Sequence, residues 1–305
     1  SLGLLTLAAH TPANWEVIYK ELDIYSEADI QEIIDEEPDL IALSSLTARI
    51  NEAYKLCDLF RKKGITIALG GLHTTAMPQE AENHADIVIQ GEGELIWEAL
   101  LSGFENSNLK PHYSSLANSD FTFHLKHCKV PRYDLLDISN YNRLTIQTTR
   151  GCPLHCSFCA ASRTISKYKK KPIHLIEKEL NKIHEIWDRP FIELADDNTF
   201  IDKKWSKELL ALFGQYKMKW FTETDLSIAY DDELLELLAK SNCAQVLIGF
   251  ETTNKATLKG MDRANWKYKQ FEQYQEAIDK IQSYGISVNG CFILGFDTDT
   301  EETFA

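Results

Sequence analysis

Over the first hundred residues, short β-branched runs alternate with stretches whose apolar residues recur every three to four positions. The runs are "WEVIYK" (15–20), "DLIALSS" (39–45), "ITIALGG" (65–71) and "DIVIQG" (86–91). The stretches of helical spacing are "LGLLTLAAH", "EADIQEIIDEE", "NEAYKLCDLFRKK", "PQEAENH" and "ELIWEALL". Nearly all-apolar strands bounded by Gly, Pro or Asp and separated by amphipathic helices predict a doubly wound α/β unit over residues 1–105, with a parallel sheet covered on both faces.

The pattern breaks over 106–142, rich in Ser, Asn, Pro and His, which reads as an interdomain linker. His112, His124, His127 and Cys128 fall here, at spacings that match no common zinc pattern, and read as linker residues. From 143 to 305 five β runs return: "LTIQTTRG" (144–151), "PFIELADD" (190–197), "KWFTETDLSI" (219–228), "AQVLIGFET" (244–252) and "ISVNGCFILGF" (286–296). With helix-like stretches between them they predict a partial (β/α)6 barrel, whose chemistry collects at the carboxyl ends of the strands. The chain starts on Ser1 inside a helical pattern and stops where Asp or Thr followed by Glu would open a helix, so it reads as cut at both edges, with the first strand of its N-terminal domain missing.

A formal charge of −14 argues against a general nucleic-acid binder, since neutralising phosphates needs basic patches. Small-molecule or protein partners fit better. Seven unevenly spaced cysteines without a secretory h-region argue against a disulfide framework and for a reducing, cytoplasmic setting. No apolar run reaches the roughly 20 residues of a membrane span.

In doubly wound sheets, ligands sit beyond the carboxyl ends of the strands. Those ends here carry Ser44, Ser45 and Thr47; Gly70, Gly71, His73 and Thr74; and Gly91, Glu92 and Gly93. They are mostly small or hydroxyl-bearing residues that let a large ligand approach, though tight turns and N-caps ask for the same residues in any such domain. The pieces "GLLTLAA", "IALSSLT", "IALGGLHTT" and "DIVIQGEGE" resemble the flavodoxin-like cobalamin-binding domain that precedes the catalytic domain in one branch of radical SAM proteins. The resemblance implies cobalamin with its nucleotide tail between sheet and helices. No D-x-H-x-x-G loop with a cobalt-ligating His is present, and by the resemblance it would fall at or before Ser1. His73 reads as a hydrogen-bonding loop residue rather than a cobalt ligand.

The second unit's first strand runs directly into "TTRGCPLHCSFCAAS", where Cys152, Cys156 and Cys159 stand within eight positions. Thiolates suit zinc or iron–sulfur clusters, and so short a loop can wrap three corners of a 4Fe-4S cube, leaving the fourth iron open. The rival is zinc with His155 as fourth ligand, but a ligand adjacent in sequence to another closes a tetrahedron poorly. C-x-x-x-C-x-aromatic-C at the end of a first barrel strand resembles the radical SAM superfamily. The resemblance implies that S-adenosylmethionine chelates the open iron and is cleaved reductively to methionine and a 5'-deoxyadenosyl radical. It further implies S-adenosylmethionine contacts at Phe158; at Asp196, Asp197 and Asn198, where "ADDN" departs from the family's Gly-Gly-Glu-like motif; at Glu223 and Asp225; at Glu251; and at Gly290 and Gly295. Each also has a plain structural reading, as helix cap, ion pair or packing glycine. Cys57, Cys243 and Cys291 read as core thiols.

Three functions follow from these readings. The two domains together point to a cobalamin-dependent radical methyltransferase acting on an unactivated carbon of a small molecule, fed by an electron donor such as a flavodoxin or ferredoxin. The alternatives are a cobalamin-associated radical oxidoreductase resembling the anaerobic porphyrin ester cyclase, and a cobalamin or redox module without catalysis.

Overall fold

The computed structural model describes residues 1–22, 24–116, 122–159 and 167–304. The chain divides into two compact units, Ser1–Leu136 and Asp137–Ala305.

The first unit is built on a four-stranded parallel sheet, β1 (Leu40–Ser44), β2 (Thr66–Gly70), β3 (Ile87–Gln90) and β4 (His112–Ser114), in that order. Its helices are α1 (Leu2–His10), α2 (Glu27–Asp35), α3 (Ile50–Lys62), α4 (Leu72–Ala76), α5 (Pro78–Ala81) and α6 (Trp97–Glu105). Because successive strand side chains point to opposite faces, Ile67, Leu69 and Val88 meet Tyr54, Cys57 and Phe60 of α3, while Ala68, Ile87 and Ile89 meet Trp97, Leu100 and Leu101 of α6. Strands buried on both faces explain why these runs are apolar throughout.

Two expectations fail here. Residues 15–20 form no strand: Trp15 instead packs edge-on to Phe104 and donates its indole N–H to Glu105 at 2.8 Å, so the alternating pattern rests on α6 and not on a sheet. The stretch read as linker supplies β4, with Val88, Ile89 and Gln90 in register with His112, Tyr113 and Ser114. "HYS" is too short and polar to announce itself as a strand.

The second unit carries five parallel strands, β5 (Leu144–Ile146), β8 (Phe191–Leu194), β9 (Lys219–Thr224), β10 (Cys243–Glu251) and β11 (Ser287–Phe292), paired in that sequence. A two-stranded antiparallel ladder joins β6 (Thr149–Arg150) to β7 (Lys169–Lys170). The helices are α7 (Ile173–Ile186), α8 (Lys203–Phe213), α9 (Asp232–Lys240), α10 (Trp266–Gln270) and α11 (Tyr274–Ser283). Along β9, Trp220, Thr222 and Thr224 are buried while Lys219 and Glu223 are exposed. Trp220 lies edge-on to Phe213 of α8 at 5.1 Å and donates to Ser241 O at 2.7 Å, which satisfies its indole in the core. Asp202 and Asp231 cap α8 and α9 by accepting from Trp205 N–H at 3.1 Å and Leu234 N–H at 3.0 Å. Cys291, expected in the core, is exposed on β11. Among the described residues no helix is long and apolar enough to cross a membrane.

Candidate functional site

The cysteine segment opens where β5 ends, and its two flanks are clamped by the pairing of Thr149 with Lys170 and Arg150 with Lys169. Gly151 (φ 78°) turns the chain out of the sheet, and its N–H donates to Asp197 Oδ2 at 2.7 Å. Within the loop, Cys159 N–H donates to Cys156 O at 3.1 Å and Ser157 N–H to Met261 O at 2.8 Å. Cys156 is buried, Cys152 and Cys159 are half-buried, and none is in a disulfide. Burial pushes the Cys152 thiol up and the Cys156 thiol up to about 11, with neighbouring thiols adding to the effect. Such thiols become thiolates only beside a strong cation. Among the described residues no three Cys, His, Asp or Glu side chains converge as one metal ion requires.

Asp196, on the strand end after β8, is fully buried, with both carboxylate oxygens engaged by the protein. Its Oδ1 accepts Thr148 N–H at 2.7 Å and Thr149 N–H at 2.8 Å, and its Oδ2 accepts the Thr148 hydroxyl and that of Thr199, the latter at 3.0 Å. Burial raises its pKa against the pull of these donors. Asn198 Nδ2 donates to Asp225 Oδ2 at 2.8 Å, and Asp225 Oδ1 accepts Ser227 N–H at 2.7 Å, so these two brace one another. Asp197 and Glu223 are the exposed acids of the group. Partial burial of the Glu223 carboxyl, then the charges of Asp197, Glu193 and Asp196, push its pKa up. A site that crowds carboxylates in this way favours a cationic ligand. Behind the loop, Lys171 Nζ pairs with Glu179 Oε1 at 2.6 Å in near-complete burial, and Lys171 N–H donates to Thr148 O at 2.8 Å.

Glu251 ends β10 in a left-handed conformation (φ 69°), just after a register shift against β11. Its Oε1 lies 2.8 Å from Lys267 Nζ. Asp262 accepts Trp266 N–H at 2.8 Å and Lys267 N–H at 3.1 Å, fixing the start of α10. Asp262, in the loop before α10, and Lys267, in the first turn of that five-residue helix, escaped the sequence reading because neither belongs to a recognisable spacing. Phe158 is exposed. A side chain at Gly290 would meet Phe250 at 3.0 Å and Phe292 at 3.1 Å, which makes it a packing glycine, whereas Gly295 (φ 101°) has open space around it and a backbone only glycine adopts readily.

In the first unit, Ser44 and Gly70 are in register at adjoining strand ends. Gly71 (φ 105°) and Gly91 (φ 88°) disfavour a side chain: the backbone is one glycine adopts readily, and a Cβ would stand 2.8 Å from Ser44 Oγ and 2.3 Å from Ser115 Oγ respectively, forcing either to shift. Ser45, Thr47 and Gly93 remain accessible at this edge, beside the exposed apolar side chains of Leu46, Leu72 and Met77. The remaining three residues turn inward. Thr74 Oγ1 donates to Gly70 O at 3.3 Å, Glu92 Oε2 accepts Phe123 N–H at 2.8 Å, and His73 is buried with Nδ1 3.3 Å from Thr47 Oγ1 and Nε2 3.6 Å from Glu80. His73 on α4 thus ties the turn at Thr47 to α5.

The sequence profile of the Radical SAM superfamily matches residues 146–305, which contain the whole arrangement around the three cysteines. The chain belongs to the radical SAM superfamily. Residues 1–101 match the B12 binding domain. The chain is 29 % identical over 278 residues to bacteriochlorophyllide d C-12(1)-methyltransferase of Chlorobaculum tepidum, a match covering 87 % of this chain and 59 % of that protein. It is 26 % identical over 333 residues to anaerobic magnesium-protoporphyrin IX monomethyl ester cyclase of Cereibacter sphaeroides, covering 99 % and 53 %. The radical S-adenosylmethionine methyltransferase TsrM from Kitasatospora setae shares its fold, with a TM-score of 0.72 at 17 % identity over 90 % of this chain and 60 % of that one. The chain spans about 60 % of the length of the first two methyltransferase relatives.

The residues of this radical SAM chain fit the groups that its two domains carry. Three clustered, shielded thiols are a soft donor set for a 4Fe-4S cluster, and the crowded acids of the second unit suit the ammonium of S-adenosylmethionine. The side-chain-free strand ends at Gly71 and Gly91, next to exposed Leu46, Leu72 and Met77, suit the broad face of a cobalamin.

Proposed function

We propose that the protein is a cobalamin-dependent radical SAM methyltransferase that alkylates an unactivated carbon of a small molecule. The observation that carries this reading is the presence on one chain of the B12 binding domain at 1–101 and the Radical SAM superfamily at 146–305. When bound, S-adenosylmethionine, the reduced cluster and cobalamin supply a hydrogen-abstracting radical and a methyl group. Cys152, Cys156 and Cys159 hold the cluster and leave its remaining iron to S-adenosylmethionine. Asp197 and Glu223 attract the methionine ammonium. Asp196, Asn198 and Asp225 keep the strand ends in place beneath it, and Glu251, Phe158 and Gly295 face the rest of the molecule. At the other unit, Ser44, Ser45, Thr47, Gly70, Gly71, Gly91 and Gly93 line the cobalamin edge. A low-potential flavodoxin or ferredoxin of the cytoplasm serves as electron donor.

The test supplies the anaerobic holoenzyme with methyl-deuterated S-adenosylmethionine, a low-potential reductant and the small-molecule pool of its host. Transfer of the labelled methyl to one metabolite, with S-adenosylhomocysteine and 5'-deoxyadenosine forming together, supports the reading. The cyclase of Cereibacter sphaeroides motivates a second one, a non-methylating oxidation. Sustained 5'-deoxyadenosine without S-adenosylhomocysteine favours that alternative.

A further inference from the structure

Nothing in the cysteine motif or in the strand-end acids calls for Lys267, yet the fold goes to some length to place it. Its Nζ contacts both Glu251 Oε1 and Gly249 O, and the paired side chains of Lys267 and Glu251 are only 11 % and 9 % exposed. Gly249 leaves room for them: a Cβ there would stand 2.3 Å from Glu251 Oε1 and 3.2 Å from Lys267 Nζ. Glu251 keeps its left-handed backbone to complete the pair. A strained residue and a buried ion pair each cost free energy, so their combination at one strand end asks for a reason. Satisfying the start of α10 is not that reason, since Asp262 already accepts the N–H groups of Trp266 and Lys267.

The position supplies the reason. Lys267 N–H is held by Asp262, and the preceding Met261 O accepts Ser157 N–H at 2.8 Å, one residue from Cys156. The pair is thereby tied to the segment that carries the buried cysteine.

We infer that the Lys267–Glu251 pair sets the local charge beside the cluster held on Cys156, with Lys267 favouring the added electron and Glu251 opposing it. The inference rests on the cluster assignment and is independent of where the methyl group goes. A unit charge a short way from a redox centre in a poorly hydrated site stabilises one redox state over the other, and hydration, charge and hydrogen bonding are the protein's means of setting a cluster potential. Lys267 is in this sense a positioning residue of the reductive step, in which one electron passes from the external donor to the cluster.

The test is a redox titration of the reconstituted holoenzyme without S-adenosylmethionine, followed by electron paramagnetic resonance. Lys267→Met shifts the potential to more negative values and Glu251→Gln to less negative ones. The double variant returns towards the wild type, and Lys267→Arg, which keeps the charge, stays there. Iron content and unfolding temperature are measured alongside. If Lys267→Met does not fold, Glu251→Gln and Lys267→Arg carry the comparison. Equal potentials in all folded variants, or shifts of the same sign for the two single charge removals, overturn the inference. A wild-type protein that takes up no iron overturns the cluster assignment instead.

Discussion

Asp196 grips Thr148 twice, through the backbone N–H at 2.7 Å and through the hydroxyl, and so fixes the chain four residues before the first cluster cysteine. Replacing it with alanine leaves two buried N–H groups and the buried Thr148 hydroxyl without their acceptor, while the Thr199 hydroxyl keeps Thr222 Oγ1 at 2.6 Å. Each such group costs about 1–3 kcal/mol, so Asp196→Ala is expected to lose several kcal/mol of stability and most of its iron. Asp196→Asn retains one acceptor and falls between the two. Thermal unfolding and iron per chain, measured together, check this. A variant of wild-type stability would mean that the carboxylate does not support the loop.

Cys156→Ala is expected to abolish cluster assembly and reductive cleavage of S-adenosylmethionine. Cys243→Ser is the matched control, because the Cys243 thiol is also buried and pushed up to about 12 but lies at the start of β10, away from the loop. Iron and sulfide analysis and the visible spectrum separate the two. Equal iron in both variants would remove Cys156 from the ligand set.

How much of this was legible in the residues depends on how local each signal is. The cluster triad lies within eight positions and announces itself, as do β2 and β3, whose apolar runs reflect burial on both faces. Asp196 was visible as a strand-end acid, but its direction was not. Only the fold shows that the N–H groups of Thr148 and Thr149, 48 and 47 residues away, claim its oxygens. Lys267 carried no signal, because lysine is common and its partner stands sixteen residues earlier across a loop. Residues 15–20 misled for a related reason: alternation records that one side of the segment is covered, and a helix covers it as well as a sheet does.

Glu223 gives a pH dependence with a definite sign. Its raised pKa, caused by partial burial and then by Asp197, Glu193 and Asp196, means that the folded protein keeps the proton to higher pH than the unfolded chain does. Its contribution is therefore most favourable in acid and is lost as pH rises through the folded value. Glu223→Gln is expected to be more stable than the wild type at neutral pH by a fraction of a kcal/mol, since the side chain is exposed and solvent screens it. The advantage should vanish in acid below the ordinary glutamate range. Unfolding temperatures of both proteins across pH measure it, and a difference that grows in acid would contradict the account.

The buried pair of Lys171 and Glu179 separates structural charge from cofactor charge. Lys171→Met strands the Glu179 carboxylate in the core and is expected to cost about 3–5 kcal/mol, whereas replacing both residues by apolar side chains of similar volume restores much of that. Denaturant unfolding of the two variants reads the difference, and the double variant should regain iron binding because Lys171 N–H still reaches Thr148 O.

Gly91 tests the cobalamin edge without touching a charged group. With φ at 88° and a Cβ placed 2.3 Å from Ser115 Oγ, Gly91→Ala meets both backbone strain and a collision, while Gly64 (φ 83°) has nothing within 4 Å of its Cβ. Gly64→Ala is therefore expected to lose about 1 kcal/mol from backbone conformation alone. Gly91→Ala should lose more, by roughly another 1–2 kcal/mol for the forced shift of Ser115, and should also weaken cobalamin binding. Unfolding curves and a cobalamin titration followed by absorbance distinguish the two sites. Equal cobalamin affinity in Gly91→Ala and Gly64→Ala would move the cobalamin away from this edge of the sheet.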